Sequence, residues 1–400
     1  MSRQSTRLVA RSWYVPILWV VAGWLIGRWG IGLPAAEPPA DRSPRLHQIQ
    51  VLGTHNSYHV EPDAAAMALI RLVVPREADA NAYSHRPLDE QLDRLGLRLF
   101  ELDLYRDDEG GKFARPLAYV AAQRQGADVA AHDPQGVLLR RGIKILHSPD
   151  FDFRTTVYAL QDALRTMRAW SLRHAGHLPL FVLLELKQDS YSPLLRPVAW
   201  DLAGLQTLEK EILEIVPREM ILAPDDVRGA FDTLRDAVRR QGWPRLREAR
   251  GKIVFLLDNE DAIRDAYLRD DATLRGRLMF TSVGSDHPAA AWMKRNDPDR
   301  GFDEIQSLVR AGFLVRTRAD EGTAQARSND AGRRDRALAS GAQLISTDFP
   351  EPDPRYSDYA VTYGGECAAR PNPVVGAGVP ADLEPKRVES SADRGDRSPP

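Results

Sequence analysis

Four short stretches of the chain concentrate side chains able to move protons or hold a metal. They are Gly53-Thr54-His55-Asn56-Ser57-Tyr58, Glu101-Leu102-Asp103, His147-Ser148-Pro149 and Glu185-Leu186-Lys187. Asn56 offers a carbonyl oxygen, while Glu101, Asp103 and Glu185 offer carboxylates. Together these make a hard, oxygen-only shell suited to calcium, with magnesium or manganese a poorer fit. An ion held there neutralises charge developing on a phosphoryl oxygen and lowers the pKa of an attacking hydroxyl. His55 and His147 are then expected to flank the phosphorus. One takes a proton from the nucleophile and the other gives one to the leaving group, work suited to groups that titrate near neutrality. The sequence does not say which does which.

Each stretch also has a purely structural reading. A histidine after a strand is commonly a hydrogen-bonded core residue, and Glu185 can be the salt-bridge partner of Lys187 or an arginine. The Glu101-x-Asp103 pair resists such a reading, because two charges among Leu99, Phe100, Leu102 and Leu104 need partners or a metal to offset desolvation. Joint occurrence at successive strand ends favours one shared site.

The elements that must position these groups follow from the apolar pattern. Strand-like runs occur at Ile49 to Gly53, Leu97 to Leu104, Ile143 to Leu146, Leu180 to Leu186, Lys252 to Leu257, Leu278 to Val283, Phe313 to Thr317 and Gln343 to Thr347. Between most of them lie amphipathic stretches, such as Val157, Leu160, Leu164 and Met167, or Leu202, Leu205, Leu208, Ile212 and Ile215. Alternation of this kind favours a parallel sheet, and eight buried-looking strands favour a closed (β/α)8 TIM barrel. An open doubly wound sheet remains the alternative, although no Gly-rich dinucleotide fingerprint follows the first strand. A barrel places its chemistry at the C-terminal ends of its strands, where all four stretches fall. A helical insertion is expected from Val60 to Pro87, and a polar excursion from Asp107 to Gln135, both on the catalytic rim.

The ends of the chain differ from its body. Arg3, Arg7 and Arg11 precede an uncharged apolar run from Trp13 to Gly27, the layout of an export signal or signal anchor over residues 1–33. Small residues at Ala35 and Ala36 permit cleavage and Pro34 disfavours it, so both outcomes stay open. Either one places the body outside the cytoplasm. A linker over 34–45, a barrel over 46–365 and a disordered tail over 371–400 complete the expected organisation. With 54 basic and 56 acidic side chains, no global field favours nucleic acid or an anionic surface. The single cysteine, Cys367, excludes an intrachain disulfide.

At its chemistry-bearing residues the sequence resembles the phosphoinositide-specific phospholipases C, and particularly their calcium-dependent bacterial members. Gly53 to Tyr58 looks like their opening motif, followed in order by Glu101-x-Asp103, His147 and Glu185. Leu344-Ile345-Ser346-Thr347-Asp348-Phe349-Pro350 resembles the strand that closes the barrel, so the likeness runs from about Leu46 to Tyr363. The resemblance implies a PLC-like phosphodiesterase barrel with His55 and His147 as catalytic pair and calcium on Asn56, Glu101, Asp103 and Glu185. Lys187 and Arg316 are expected to contact phosphate or inositol.

The expected activity is calcium-dependent cleavage of phosphatidylinositol-type lipids to diacylglycerol and a cyclic inositol phosphate. A monomer working at a membrane surface is expected, without nucleic acid or a nucleotide cofactor. A glycerophosphodiester phosphodiesterase is the nearest alternative, but those enzymes open with His-Arg-Gly where this chain has His55-Asn56-Ser57. A noncatalytic calcium-dependent lipid- or sugar-binding barrel is the third reading. His47, His59, His85, His132, His174, His177 and His287 receive no role, and Asp150 and Asp152 are read as helix caps.

Overall fold

The computed structural model describes residues 43–383, except 128, 191, 193, 364–367 and 382. Ten strands lie in this part of the chain: β1 (Ile49–Thr54), β2 (Leu99–Tyr105), β3 (Lys144–Ile145), β4 (Leu180–Leu186), β5 (Ile253–Leu257), β6 (Met279–Thr281), β7 (Trp292–Lys294), β8 (Leu314–Arg318), β9 (Leu344–Thr347) and β10 (Ala369–Pro371). Eight of them follow the spatial order β6-β5-β4-β2-β1-β9-β8-β7, with every neighbouring pair parallel. A parallel bridge between Ser282 and Trp292 brings β6 to β7 and all but closes the ring. The fold is a (β/α)8 barrel, as expected.

The strand sequences explain the closure. Every residue of β1, β2 and β5 is buried, because one face lines the barrel interior and the other lies beneath the surrounding helices. The helix Leu160–Arg173 buries Leu160, Ala163, Leu164, Met167 and Trp170 along one stripe. The helix Leu202–Ile215 does the same with Leu205, Leu208 and Ile212, and Asp201 caps it by accepting from the Gly204 N–H. Gly53 marks the tightest approach between β1 and β2. A Cβ there would lie 2.0 Å from the Leu99 carbonyl oxygen, so the two strands meet only where a side chain is absent.

Two expectations are corrected. Ile143 to Leu146 does not join the barrel: only Lys144 and Ile145 form β3, which pairs antiparallel with Leu104 and Tyr105 beyond the barrel layer. Its place is taken by β7, three residues that follow an alanine run and carry no β-branched signal. The packed domain also runs past 365. β10 pairs antiparallel with Ile49 to Val51, the Asn372 amide donates to the Gly341 carbonyl, and Val374, Val375 and Val379 pack on the core. The tail expected from 371 therefore cannot begin before 383. Residues 1–42, Cys367 and 384–400 lie outside the described residues. Among those described, no helix is long and apolar enough to cross a membrane.

The helical insertion after β1 contains Ala64–Val73 and Pro75–Ala80, and the excursion after β2 contains the helix Leu117–Arg124.

Candidate active site

The turn after β1 sets out His55 and Asn56. Thr54 donates to Gln91 Oε1 (2.7 Å), Gln91 Nε2 donates to the Ser57 carbonyl (2.6 Å), and Ser57 Oγ accepts from Glu101 N (2.8 Å). Asn56 sits in the left-handed region at φ 45°, which asparagine tolerates better than most residues. His55 Nδ1–H donates to Asp348 Oδ1 (2.8 Å), just beyond β9, and Arg318 Nη2 donates to Asp348 Oδ2 (3.1 Å). That pairing leaves His55 Nε2 free, 3.9 Å from Glu101 Oε1. Burial, then the Arg318 guanidinium, lowers the His55 pKa to about 3 against the opposing pull of Asp348, so the ring is neutral near pH 7. Burial works to raise Asp348, but His55 and Arg318 outweigh it and keep the carboxylate ionised.

His147 is held in the same manner. Its Nδ1–H donates to Asp152 Oδ2 (2.8 Å), which also accepts from His59 Nε2 (2.8 Å), while His59 Nδ1 meets the Tyr83 carbonyl (3.1 Å). Each imidazole of the expected pair is thus backed by a buried carboxylate that faces a second nitrogen base, Arg318 on one side and His59 on the other. Tyr83 links the two halves, its ring 4.5 Å from His59 and its hydroxyl 3.4 Å from His55 Nδ1. Burial opposes ionisation of Asp152, but His59 and His147 hold its pKa below the usual carboxylate range.

Of the carboxylates, Glu101 lies beside His55, and Glu185 shares a cavity lining with His147. Asp103 and Glu185 are direct cross-strand partners in the β2–β4 register, and Glu101 lies two residues before Asp103 on the same face. One oxygen from each of Glu101, Asp103 and Glu185 falls within 4.8 Å of the others. Like charges that close repel by about 3 kcal/mol per pair at an effective dielectric of ~20, so the cluster requires cations. Arg316 Nη2 meets Glu101 Oε2 at 2.5 Å, and Lys187 Nζ lies 2.8 Å from Glu185 Oε1 and 3.1 Å from Asp103 Oδ2. Lys294 pairs with Asp258 at 2.7 Å. Four carboxylates therefore face three cations. Burial pushes Glu101 up to about 8 and Asp103 to about 7, despite Arg316 and Lys187 respectively.

These residues fit calcium. Asp103 Oδ1 and Asn56 Oδ1 are buried without a hydrogen-bond donor, and Asp103 Oδ2 meets only the Lys187 ammonium; hard oxygens supported in this way suit a cation better than a packed core.

Glu101, Asp103 and Glu185 come together with Lys187 and Arg316, His55 lies beside Glu101, and His147 lines a cavity with Glu185 and Lys187. His147 does not sit at a barrel strand end; it follows β3 in the long β2–β4 connection. Lys187 and Arg316 pair with the carboxylates. Asp152 is no helix cap, since its carboxylate serves two histidines, whereas Asp150 Oδ1 does accept the Leu117 N–H at the start of a helix. His59 and His85, left without roles, both join the site: His85 Nε2 donates to the His55 carbonyl (2.9 Å). Arg318 and Asp348 were missed as partners of His55. The alternation Arg316-x-Arg318 could have flagged Arg318, because residues two apart on a strand share a face. Asp258 gave no signal beyond its position after an apolar strand.

A barrel carrying two carboxylate-backed imidazoles beside a hard-oxygen cluster defines a metal-assisted phosphoric diester hydrolase. The chain belongs to the family described as phosphoinositide phospholipase C, Ca2+-dependent, whose sequence model matches residues 45–373. It is accordingly a calcium-dependent enzyme of the phospholipase C type, and the glycerophosphodiesterase alternative is not the family matched. No curated protein matches the chain. Similar solved structures include a Ca2+-dependent phosphatidylinositol-specific phospholipase C from Streptomyces antibioticus, at 14% identity, covering 77% of this chain and 96% of that one with a TM-score of 0.48. Another is a calcium-dependent phosphoinositol-specific phospholipase C from a Gram-negative Pseudomonas sp., at 13% identity, covering 84% and 97% with a TM-score of 0.49.

Proposed function

We propose that the enzyme cleaves phosphatidylinositol-type lipids by intramolecular transfer, with His55 as base and His147 as acid in the first step. The inositol 2-hydroxyl attacks the neighbouring phosphorus and gives its proton to His55 Nε2. A new O–P bond forms, the P–O bond to diacylglycerol breaks, and His147 Nε2 returns a proton to the departing oxygen. The product is a cyclic inositol phosphate, which water then opens with the two roles exchanged. Because the nucleophile belongs to the substrate, no serine or cysteine nucleophile is needed. His55 receives the base role because Asp348 holds its Nδ1 and leaves Nε2 facing Glu101, on the side of the metal-suited carboxylates where the attacking hydroxyl would be drawn. His147 lines a cavity of about 390 Å3 with Tyr105, Lys187, Gln188 and Asn259, where a leaving group can sit.

Asn56, Glu101, Asp103 and Glu185 would hold calcium. Calcium bound there supplies positive charge to a phosphoryl oxygen and lowers the pKa of the attacking hydroxyl. The N-terminal basic and apolar stretch supports export to the outer face of a membrane, where the enzyme would act as a monomer.

The observation that carries this reading is the pair of imidazoles, each with Nδ1 held by a carboxylate, His55 beside Glu101 and His147 in the cavity lined by Glu185 and Lys187. The test is release of diacylglycerol from phosphatidylinositol vesicles, with glycerophosphoinositol in parallel and with chelator added to each. Calcium-dependent release from the lipid is expected. Turnover of glycerophosphoinositol alone would refute the lipid assignment, and calcium binding without turnover of either would refute catalysis. Membrane fractionation of producing cells, before and after removal of residues 1–33, tests the placement.

A further inference from the structure

Two cations pair with the three clustered carboxylates, and their surroundings differ. Arg316 is buried at 1% exposure, and its guanidinium bonds both Glu101 and Asn296 Oδ1, so it is fixed from two sides. Lys187 touches the other two carboxylates, Glu185 at 2.8 Å and Asp103 at 3.1 Å, yet its side chain is 25% exposed and lines the 390 Å3 cavity beside His147 and Asn259. Its backbone is anchored, since Lys187 N donates to the Leu104 carbonyl and Trp200 Nε1 donates to the Lys187 carbonyl. Only the four-carbon stem is free to turn. The ammonium is held only through these two carboxylates, at Asp103 Oδ2 and Glu185 Oε1, so a cation that takes over both oxygens removes what holds it.

A calcium ion held by Asp103 and Glu185 would take the same carboxylate oxygens that the ammonium now meets, and would repel it. We propose that Lys187 is the resident counter-ion of the calcium site, and that calcium entry turns its ammonium into the adjoining cavity to meet the substrate phosphodiester. This inference rests on the calcium site proposed above. Displacement makes the two bindings mutually reinforcing: calcium frees the cation that the lipid phosphate needs, and a phosphate that holds the ammonium leaves the carboxylates to calcium.

The experiment uses the full chain as wild type, Lys187→Met and Lys187→Gln, with calcium binding followed by titration calorimetry and folding checked by circular dichroism. Loss of the competing ammonium should tighten calcium binding by about tenfold in both variants. At saturating calcium the same variants should show a raised KM for phosphatidylinositol vesicles. A calcium Kd within twofold of wild type, or a weaker one, in either folded variant overturns the proposal. A calcium-bound crystal structure with Lys187 Nζ still between Asp103 and Glu185 overturns it equally. Wild-type protein that binds no calcium would instead refute the metal site itself, and the exchange with it.

Discussion

At the scale of single residues, the two reactive imidazoles differ in what stands behind their carboxylates. Arg318 cannot lose its proton, so the Asp348 it shares with His55 stays ionised throughout the working range. Asp152 instead relies on His59 and His147, and both His59 ring nitrogens face acceptors. Replacing His55 or His147 by alanine should lower kcat by about 10²–10⁴-fold with the fold intact by circular dichroism; near wild-type turnover would remove that residue from the mechanism. Asp152→Asn cannot accept equally from two imidazoles, and kcat should fall by about tenfold or more with little change in KM. A second buried carboxylate, Asp320, supports the turn that carries Asp348. Asp320 accepts from Thr347 Oγ1 and Asp348 N, and burial together with the charge of Asp348 pushes it up to about 7. Its unfolded counterpart ionises near pH ~4, so the folded state retains a proton that the unfolded state has lost. Stability should therefore fall as pH rises from about 4 to about 7, and Asp320→Asn should flatten that slope in denaturant titrations. An unaltered slope would show that Asp320 ionises freely.

At the scale of elements, the site depends on strands that approach closely and in one register. The Asp103–Glu185 pairing exists because six consecutive residues of β2 face six of β4, and a slip of one residue would turn the carboxylates outward. Gly53→Ala would drive a Cβ into the Leu99 backbone where β1 meets β2. Thermal unfolding should show a loss of several kcal/mol or failure to fold, whereas an unaltered midpoint would mean the strands can part at no cost. Long apolar runs such as Leu180 to Leu186 are readable as strands because both faces are buried. Trp292 to Lys294 was not, since three residues carry too little pattern to show a period. Ile143 to Leu146 has strand composition, but its pairing with the end of β2 is a tertiary choice that composition does not record.

Across the whole molecule, the barrel is a ring with one weak seam and one added strand. The seam is the Ser282–Trp292 bridge. The added strand, β10, covers the part of β1 that precedes its pairing with β2. Removing residues 368–400 should expose Ile49 and Val51 and lower the unfolding midpoint by about 5 °C or more in calorimetry; an unchanged midpoint would assign the segment no structural part. Strand–helix alternation, the order of the reactive residues and the oxygen character of the metal shell were determined by the sequence alone, because each is a local pattern or a matter of side-chain chemistry. Which carboxylate serves which histidine, which cations balance the acids, and where the chain stops packing were decided only by tertiary structure. Asp152, His59, Arg318 and Asp348 become partners of the catalytic pair through contacts spanning up to 293 positions along the chain, and closing the ring brings those positions together.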